Sequence, residues 1–257
     1  MTDPPFLSVV IPTWNEQKRI SDTLNKVTRY LGRQEYSAEV IVVDDGSADD
    51  TVLMVKSFID AYRGAISVRL IENDHRGKGY AVRTGMLQGR GRYILFTDAD
   101  LATPISEVGK VIGALESGAD VAMGTRQGIG AQRLDEPFYR HLMGRVFNLL
   151  VRLLSGLDFQ DTQCGFKGFR RQVADDLFRR VQLYGHDARP LKGGAVTGFD
   201  VEVLYLALRR GYRIEEIPVK WQYGAESKVN PLRDSVRMLG DVLRVWRMAR
   251  RGVYDER

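Results

Sequence analysis

The strongest constraint on the fold is an alternation of short apolar runs with segments of helical periodicity, which extends from Leu7 to Thr125. The apolar runs are rich in Val and Ile, as strands buried on both faces are. Such an alternation is typical of an α/β fold with a mostly parallel, Rossmann-like sheet and helices on both of its faces. Strands are predicted at residues 7–11, 39–44, 67–71, 92–97 and 120–125, and helices at residues 16–31, 48–62, 78–87 and 104–116.

The pattern changes after Arg126, where a glycine-containing loop precedes a long predicted helix at residues 137–154. A further helix is predicted to end near residue 182, followed by a loop at 185–198, a helix at 200–210, a strand at 213–219 and a loop at 224–228. We predict a single domain over residues 1–257: residues 1–126 form one half, residues 127–230 cover it, and residues 231–257 form a C-terminal amphipathic helix and tail.

Composition limits the partners and the compartment. The net charge of +5 indicates an anionic partner, such as a nucleotide diphosphate, a lipid phosphate, a membrane surface or a nucleic acid, and does not choose among them. The single cysteine, Cys164, excludes an internal disulfide and predicts a reducing compartment. No signal peptide is expected, because the first apolar run stops at Pro12, and no apolar stretch is long enough to cross a membrane.

The fourth predicted strand ends on two carboxylates, Asp98 and Asp100. Side chains alternate along a strand, so residues two apart leave it on the same side and can reach one hard cation. Mg²⁺ or Mn²⁺ held in this way keeps coordination sites for substrate phosphate oxygens. A solvated turn or a helix cap would produce the same pair of acids, so the motif alone leaves both interpretations open.

Other predicted strand ends are also polar, and the carboxyl ends of parallel strands form the usual ligand site of an open α/β sheet. Asp44 and Asp45 precede Gly46 and could accept hydrogen bonds from a ribose or a base, although a helix cap explains them equally well. The segment from 76 to 79 resembles a phosphate-binding sequence through Lys78, but it is not a P-loop. The histidines lack metal-ligand spacing and are interpreted as structural or surface residues.

The C-terminal segment predicts an amphipathic helix with an apolar face and an arginine stripe. The apolar face would contain Val236, Leu239, Val242, Leu243, Trp246 and Ala249, and the stripe Arg233, Arg237, Arg244, Arg247 and Arg251. Such a helix can lie at a membrane interface, with the tryptophan at headgroup level and the arginines on anionic lipid. Packing of the helix on the domain with solvated arginines is an equally good interpretation.

Five motifs, taken in order, give the chain a resemblance to a known family. They are SVVIPTWNE at residues 8–16, VVDDGS at 42–47, GKG at 77–79, DAD at 98–100 and GTR at 124–126. In this order and spacing they resemble the family-two inverting glycosyltransferases of the GT-A fold. Two later segments, DTQCGFK at 161–167 and GFDVE at 198–202, are similar to the dolichyl-phosphate hexose synthases, in particular the glucose branch.

The resemblance implies roles for individual residues. Nucleotide-sugar binding would fall to Pro12, Trp14, Glu16, Asp44, Asp45, Lys78, Asp98, Ala99, Asp100, Arg126, Ser227 and Lys228. Asp98 and Asp100 would hold the metal, and Arg126 and Arg140 would lie near the donor and the acceptor phosphate. Ala102 stands where the mannose branch has a glutamine, a departure that favours the glucose branch and a UDP donor.

The expected reaction moves a hexose from a UDP-sugar, UDP-glucose being favoured, to a polyprenyl or dolichyl phosphate, with inversion. A phosphate acceptor is already ionised near neutral pH and needs no strong base, whereas a hydroxyl acceptor would need one, for which Asp200 or Glu202 is the candidate. We expect a cytoplasmic enzyme, peripheral on the cytoplasmic face of a membrane, with Mg²⁺ or Mn²⁺ as cofactor and no nucleic acid partner. The non-enzymatic alternatives are a nucleotide-sugar sensor and a basic RNA-binding module.

Overall fold

The structure is a computed structural model that describes residues 3–134, 159–191, 198–222 and 231–255, with the backbone only for residues 231–235. Its strands are β1 (Leu7–Thr13), β2 (Ala38–Asp45), β3 (Ser67–Asn73), β4 (Tyr93–Thr97), β5 (Val121–Thr125), β6 (Gln132–Leu134), β7 (Phe166–Arg170), β8 (Ile214–Pro218) and β9 (Lys220–Gln222). Its helices are α1 (Ile20–Leu31), α2 (Thr51–Ala61), α3 (Lys78–Gln88), α4 (Val108–Glu116), α5 (Arg171–Arg180), α6 (Phe199–Arg209) and α7 (Pro231–Arg250). A short 3₁₀ turn, Ile105–Glu107, leads into α4.

The main sheet has the strand order β3-β2-β1-β4-β7-β5-β8, and β6 and β9 form a separate two-stranded sheet. β1 is parallel to both β2 and β4, and β5 is parallel to β8. β7 lies between β4 and β5 and is antiparallel to both. The predicted mostly parallel α/β sheet is therefore confirmed, with one reversed strand in its middle.

The reversed strand β7 was not predicted as a strand. Its sequence interrupts the apolar pattern with Lys167 and Gly168, which resemble loop residues when taken by themselves. Gly168 is required by close packing, because a Cβ there would lie 2.4 Å from Cγ1 of Val111 in α4. The strand conformation of these residues therefore depends on contacts made in the folded chain and not on a local periodic pattern.

Helices cover both faces of the sheet, which explains the unbroken apolar runs of the central strands. Along β1, Val9 and Ile11 pack into a core with α1, α2 and α4, whereas Val10 packs into a second core with α3, α5 and α6. This alternation is the period of two expected for a strand buried on both sides.

Two helices begin later than predicted, at Ile20 and Thr51 instead of residues 16 and 48. The intervening residues hydrogen-bond to one another: Asn15 N donates to Ser47 Oγ at 2.8 Å, and Glu16 N donates to Thr51 Oγ1 at 2.7 Å. The loop between β1 and α1 is thus hydrogen-bonded to the loop between β2 and α2 and to the first residue of α2.

The C-terminal helix α7 is present, but its buried face differs from the prediction. Val242 and Val245 are buried, whereas Val236 is 73% exposed and Trp246 is 36% exposed. The Arg250 guanidinium lies 4.0 Å from the centroid of the Trp246 ring. Within the described residues, no helix combines the length and the apolar character needed to cross a membrane.

Candidate active site

The predicted acid pair follows β4 directly, at the edge where β1 and β2 also end. Asp98 pairs with Lys78, the first residue of α3, with 2.5 Å between Nζ and Oδ1. Asp100 Oδ1 accepts a hydrogen bond from the backbone N–H of Ala102 at 3.0 Å. Between them, the carbonyl of Ala99 accepts from the Thr23 hydroxyl at 2.6 Å, which fixes the turn after the strand.

Burial and neighbouring charge shift the pKa values of Lys78 and Asp100. Burial alone would lower the pKa of Lys78, but the negative charges of Asp98 and Asp200 outweigh it, so the pKa of Lys78 is raised. Desolvation and the nearby charge of Asp98 raise the pKa of Asp100. Two carboxylates that repel each other beside a single ammonium group form an environment that favours an additional cation.

The chain that enters β7 closes the acid pair from another side. A Cβ at Gly165 would lie 2.0 Å from Oδ2 of Asp98, so only glycine permits this approach of backbone to carboxylate. Two residues later, Lys167 is 1% exposed and pairs with Asp200 of α6 at 2.5 Å. Burial raises the pKa of Asp200 although the positive charges of Lys167 and Lys78 oppose it.

The turn between β3 and α3 binds the carboxylate of Asp45. Oδ1 of Asp45 accepts a hydrogen bond from Arg76 N at 2.8 Å. Oδ2 of Asp45 accepts one from Gly77 N at 2.8 Å and lies 2.8 Å from His75 Nδ1. Burial raises the pKa of Asp45 against these hydrogen bonds. The His75 ring in turn stacks on Trp14, with centroids 4.8 Å apart and planes inclined by 11°.

The other residues predicted on this side form the rim of the turn. Asp44 accepts from Ser47 N at 2.8 Å and from Ser47 Oγ at 2.5 Å, so its carboxylate stabilises a turn. Glu16 pairs with Arg19 at 2.9 Å, and Pro12 is buried in β1. α2 begins only at Thr51, so Asp44 does not act as the cap of that helix.

A third cluster joins Arg126, after β5, to Asp161. The guanidinium binds the carboxylate through both Nε (2.6 Å) and Nη2 (2.7 Å), and Arg126 N donates to the same group at 2.9 Å. Burial would raise the pKa of Asp161, but the charge and hydrogen bonds of Arg126 outweigh it and lower the pKa. The guanidinium also lies 5.2 Å from the Trp221 ring, so carboxylate and ring hold it in one orientation.

Comparison with known proteins assigns the chain to a protein family. The model of the glycosyl transferase family 2 matches residues 8–178. The chain belongs to this family. The dolichyl-phosphate beta-glucosyltransferase of Drosophila melanogaster is 36% identical over 93% of this chain and 74% of its own length, and that of Dictyostelium discoideum is 32% identical over 95% and 74%.

Solved structures agree on the fold. The glucosyl-3-phosphoglycerate synthase of Mycobacterium tuberculosis, crystallised with Mg²⁺ and UDP, superposes with a TM-score of 0.63 at 18% identity, covering 96% of this chain and 80% of that one. The glycosyltransferase therefore has the GT-A fold that the motifs indicate. Family membership decides for an enzyme, a glycosyltransferase, against the sensor and the RNA-binding module.

The donor set of this glycosyltransferase fits a divalent ion. Asp98 and Asp100 offer carboxylate oxygens, the ligands that Mg²⁺ and Mn²⁺ prefer, and Lys78 shows that a cation is stable beside them. In the described part of the chain, no three His, Cys, Asp or Glu side chains converge as a complete ligand cage. Mg²⁺ commonly binds through one or two carboxylates and completes its shell with water and substrate phosphate.

Some predicted site residues cannot be placed. Arg140, Ser227 and Lys228 lie outside the described residues. Of the two candidate bases, Asp200 is close enough to Lys78 for its charge to help raise the pKa of that ammonium group. The carboxylate of Glu202 instead accepts from Gln182 N at 2.7 Å and from the Tyr254 hydroxyl at 2.7 Å.

The sequence indicated no individual role for three residues that organise the site: His75, and Asp161 and Lys167 at the two ends of the DTQCGFK motif. Of the two interpretations left open for His75, structural or surface, the structure supports the structural one, because the side chain is 16% exposed and contacts both Asp45 and Trp14. Lys167 offered a signal, since a lysine among buried residues of a strand requires a buried counter-ion. The motif drew attention to Asp161, but the pairing of Asp161 with Arg126 had no signal in the sequence, because the two residues are 35 positions apart.

Proposed function

We propose that this glycosyltransferase moves a hexose, in the first place glucose, from a UDP-sugar to the phosphate of a polyprenol such as dolichol, with inversion at the anomeric carbon. Two relatives that it matches over most of its length are named dolichyl-phosphate beta-glucosyltransferases, and a structural neighbour was crystallised with UDP and Mg²⁺. The structural observation that carries the proposal is the acid pair after β4 with Lys78 beside it.

The acid pair suits the departure of a nucleoside diphosphate. A divalent ion, when bound by Asp98 and Asp100, supplies positive charge that stabilises the leaving diphosphate. Lys78 supplies a second positive charge at the same place, and its raised pKa keeps it protonated at neutral pH. Charge of this kind, fixed before the reaction, stabilises the transition state without costly reorganisation.

The turn around Asp45 suits the nucleoside. Trp14 and His75 form a stacked aromatic pair beside it, and aromatic faces are common supports for a base. The carboxylate of Asp45 already accepts two backbone N–H groups and contacts His75, so in this state it holds the shape of the turn. Direct acceptance from the base, as the family resemblance implies, would use the remaining acceptor capacity of this carboxylate.

The charges around Asp200 favour an acceptor that is already an anion. A general base must be able to take a proton, but Asp200 is bound to the Lys167 ammonium and is 5% exposed. A phosphate acceptor needs no such base and is instead positioned by cations, for which Arg126 and Arg140 are our candidates. Asp161 would then fix the orientation of Arg126 through the paired hydrogen bonds.

The lipid acceptor places the enzyme at a membrane, and α7 is the element that we propose contacts it from the cytoplasmic side. Val236 and Trp246 expose apolar surface on this helix, and Arg250 stacks on the tryptophan. A tryptophan at headgroup level beside an arginine is typical of interfacial helices. The expected association is peripheral.

A UDP-release assay tests the function. The wild-type enzyme is given several UDP-sugars and GDP-sugars, with and without a short polyprenyl phosphate, and with or without EDTA. We expect nucleotide release that requires UDP-glucose, polyprenyl phosphate and a divalent metal, and a fall of about a hundredfold or more in the Asp98→Asn variant. The matched control is Asp22→Asn, which removes an exposed carboxylate paired with Lys26.

The same assay can contradict the proposal. UDP release that occurs with hydroxyl acceptors and is absent with polyprenyl phosphate would show that the acceptor is a hydroxyl group. Asp200 would then again be the candidate general base. Release that is insensitive to EDTA and to Asp98→Asn would exclude the acid pair as the metal site.

A further inference from the structure

A second cationic feature lies apart from the acid pair. A half-open cavity of about 850 Å³ is lined by α3 and the turn before it, by the end of α5 with the segment at 181–191, and by residues 236–244 of α7. Its volume falls in the range of small-molecule sites. None of Asp98, Asp100, Lys78 or Asp200 lines it.

The wall of the cavity is strongly basic. Its arginines are Arg76, Arg83, Arg179, Arg189, Arg237 and Arg244, and its carboxylates are Asp187 and Asp241. The two carboxylates neutralise this charge only in part, because they are outnumbered by six guanidinium groups. Asp241 also accepts from Tyr184 Oη at 3.0 Å and from Gly198 N at 2.9 Å. Asp187 is 99% exposed and pairs with His186.

Two arginines in this wall each have one buried donor atom without a hydrogen-bond partner, although the terminal nitrogens of Arg76 donate to His186 O at 3.2 Å and to Asp74 Oδ2 at 3.3 Å. The Nε atoms of Arg76 and Arg83 are both buried without a hydrogen-bond partner. Burial lowers the pKa of Arg83, and the charge of Arg179 lowers it further. A buried donor without an acceptor costs free energy, so these groups would gain from an anion placed between them.

The chemistry of the wall selects a kind of anion. Guanidinium groups match the oxygens of phosphate with paired hydrogen bonds, and a cluster of them is the usual protein site for a phosphate group. Apolar side chains also line the cavity, among them Val181, Leu183 and Leu191. The space is far larger than a bare phosphate, so the ligand should carry an organic part.

We propose that this cavity is an organophosphate-binding site, separate from the site of hexose transfer. The ligand is a phosphate monoester, held by Arg83 of α3 and Arg237 of α7, with its organic part against the apolar residues. A soluble sugar or glycerol phosphate and the headgroup of a membrane lipid share this chemistry. The turn at 74–77 connects the two sites, since Arg76 lines the cavity while its backbone N–H binds Asp45.

The test measures binding without donor or metal, so that it does not depend on the proposed function. Glycerol 3-phosphate is titrated into the full chain by calorimetry. In parallel, sedimentation is measured with vesicles of phosphatidylcholine alone, with added oleic acid, or with added phosphatidic acid. The test variant is Arg83→Gln/Arg237→Gln. The matched control is Arg29→Gln/Arg33→Gln, which removes two exposed arginines on α1 and just after it, away from the cavity and from α7.

Saturable binding of glycerol 3-phosphate would establish a soluble ligand if its affinity falls about a hundredfold in the test variant and is kept in the control. The expected size of the loss is about tenfold for each of the two charged contacts removed. Binding only to vesicles with phosphatidic acid, lost in the same variant, would establish a lipid headgroup. Either result stands even if no UDP is released from any sugar donor.

Three outcomes would overturn the site. The first is equal binding by the test and control variants, which would assign the affinity to general surface charge. The second is displacement of glycerol 3-phosphate by UDP, which would place it in the donor site. The third is the absence of binding in every arm. Hexose transfer to a short polyprenyl phosphate in detergent solution, where no membrane contact is needed, should be unchanged in both double variants, because neither removes a residue of the transfer site.

Discussion

Lys78 and Asp98 form an ion pair at the end of β4, with the ammonium nitrogen 2.5 Å from a carboxylate oxygen that a metal would also use. The Lys78→Met variant removes the repulsion between this ammonium and an incoming cation. Mn²⁺ binding without nucleotide should therefore strengthen about tenfold, as measured by electron paramagnetic resonance of free Mn²⁺. UDP binding in the presence of Mn²⁺ should weaken tenfold or more, because a charge-assisted contact to the diphosphate is lost.

The control for this prediction is Lys56→Met, which removes an exposed ion pair with Glu72 and should change neither affinity. If Lys78→Met left Mn²⁺ affinity unchanged or weaker, the ammonium would not share the oxygen of Asp98 with the metal.

Gly165→Ala tests the close approach of backbone to the acid pair. The added Cβ would lie 2.0 Å from Oδ2 of Asp98, so the carboxylate must move. A displacement of about 1 Å in a catalytic group can cost a hundredfold in rate, and we expect a loss of this order in UDP release, with weaker Mn²⁺ binding. Gly113→Ala is the control: nothing lies within 4 Å of its Cβ, and alanine should stabilise α4 by about 0.5–1 kcal/mol. Full activity in Gly165→Ala would refute the tight fit around Asp98.

The buried pair of Lys167 and Asp200 predicts strong coupling between two residues. Asp200→Asn leaves the ammonium of Lys167 buried without a counter-ion, which should lower the free energy of unfolding by about 3–5 kcal/mol. The double variant Lys167→Met/Asp200→Asn should lose much less than the sum of the single changes, as measured by urea unfolding. Additive losses would show that the pair does not interact. Lost activity in Asp200→Asn alone therefore does not identify a general base.

The parts of this molecule that the sequence predicts are those set by neighbouring residues. The β/α alternation predicts the strands β1 to β5. These strands are recognisable because a strand of a sheet that is covered on both faces has a continuous apolar run. The position of Asp98 and Asp100 at a strand end follows from the same pattern. What local sequence does not encode is pairing over distance: Lys78 and Asp98 are twenty positions apart, and Asp45 meets His75 across thirty.

The reversed strand β7 shows why the rest could not be predicted. It joins the sheet after an excursion of about forty residues from β5, and it lies between two strands that are already parallel to others. Only this position makes Lys167 a buried residue and brings Gly165 against Asp98. The motifs therefore predict the acid pair of the candidate site, whereas the contacts of Gly165 and Lys167 depend on where β7 enters the sheet.

Glu202 predicts a dependence of stability on pH. It is fully buried in α6, and burial raises its pKa from 4.5 to about 7. Between these two values the folded chain holds a proton on this carboxyl that the unfolded chain has released. The stabilisation is complete below pH 4.5 and is lost as the pH rises to about 7. Relative to Glu202→Gln, the wild-type free energy of unfolding should fall by about 3 kcal/mol across this window.

Tyr254 supplies the second arm of this prediction. Its hydroxyl donates to Oε1 of Glu202 at 2.7 Å, and this hydrogen bond lowers the pKa of the carboxyl against the effect of burial. Tyr254→Phe removes the bond, so the pKa of Glu202 should rise further and the loss of stability should extend to higher pH. Urea unfolding of the wild type and both variants at several pH values between 4.5 and 8 measures both effects. Parallel curves for the wild type and Glu202→Gln would mean that Glu202 is ionised in the folded chain throughout, and that its contacts with Tyr254 and Gln182 already offset its burial.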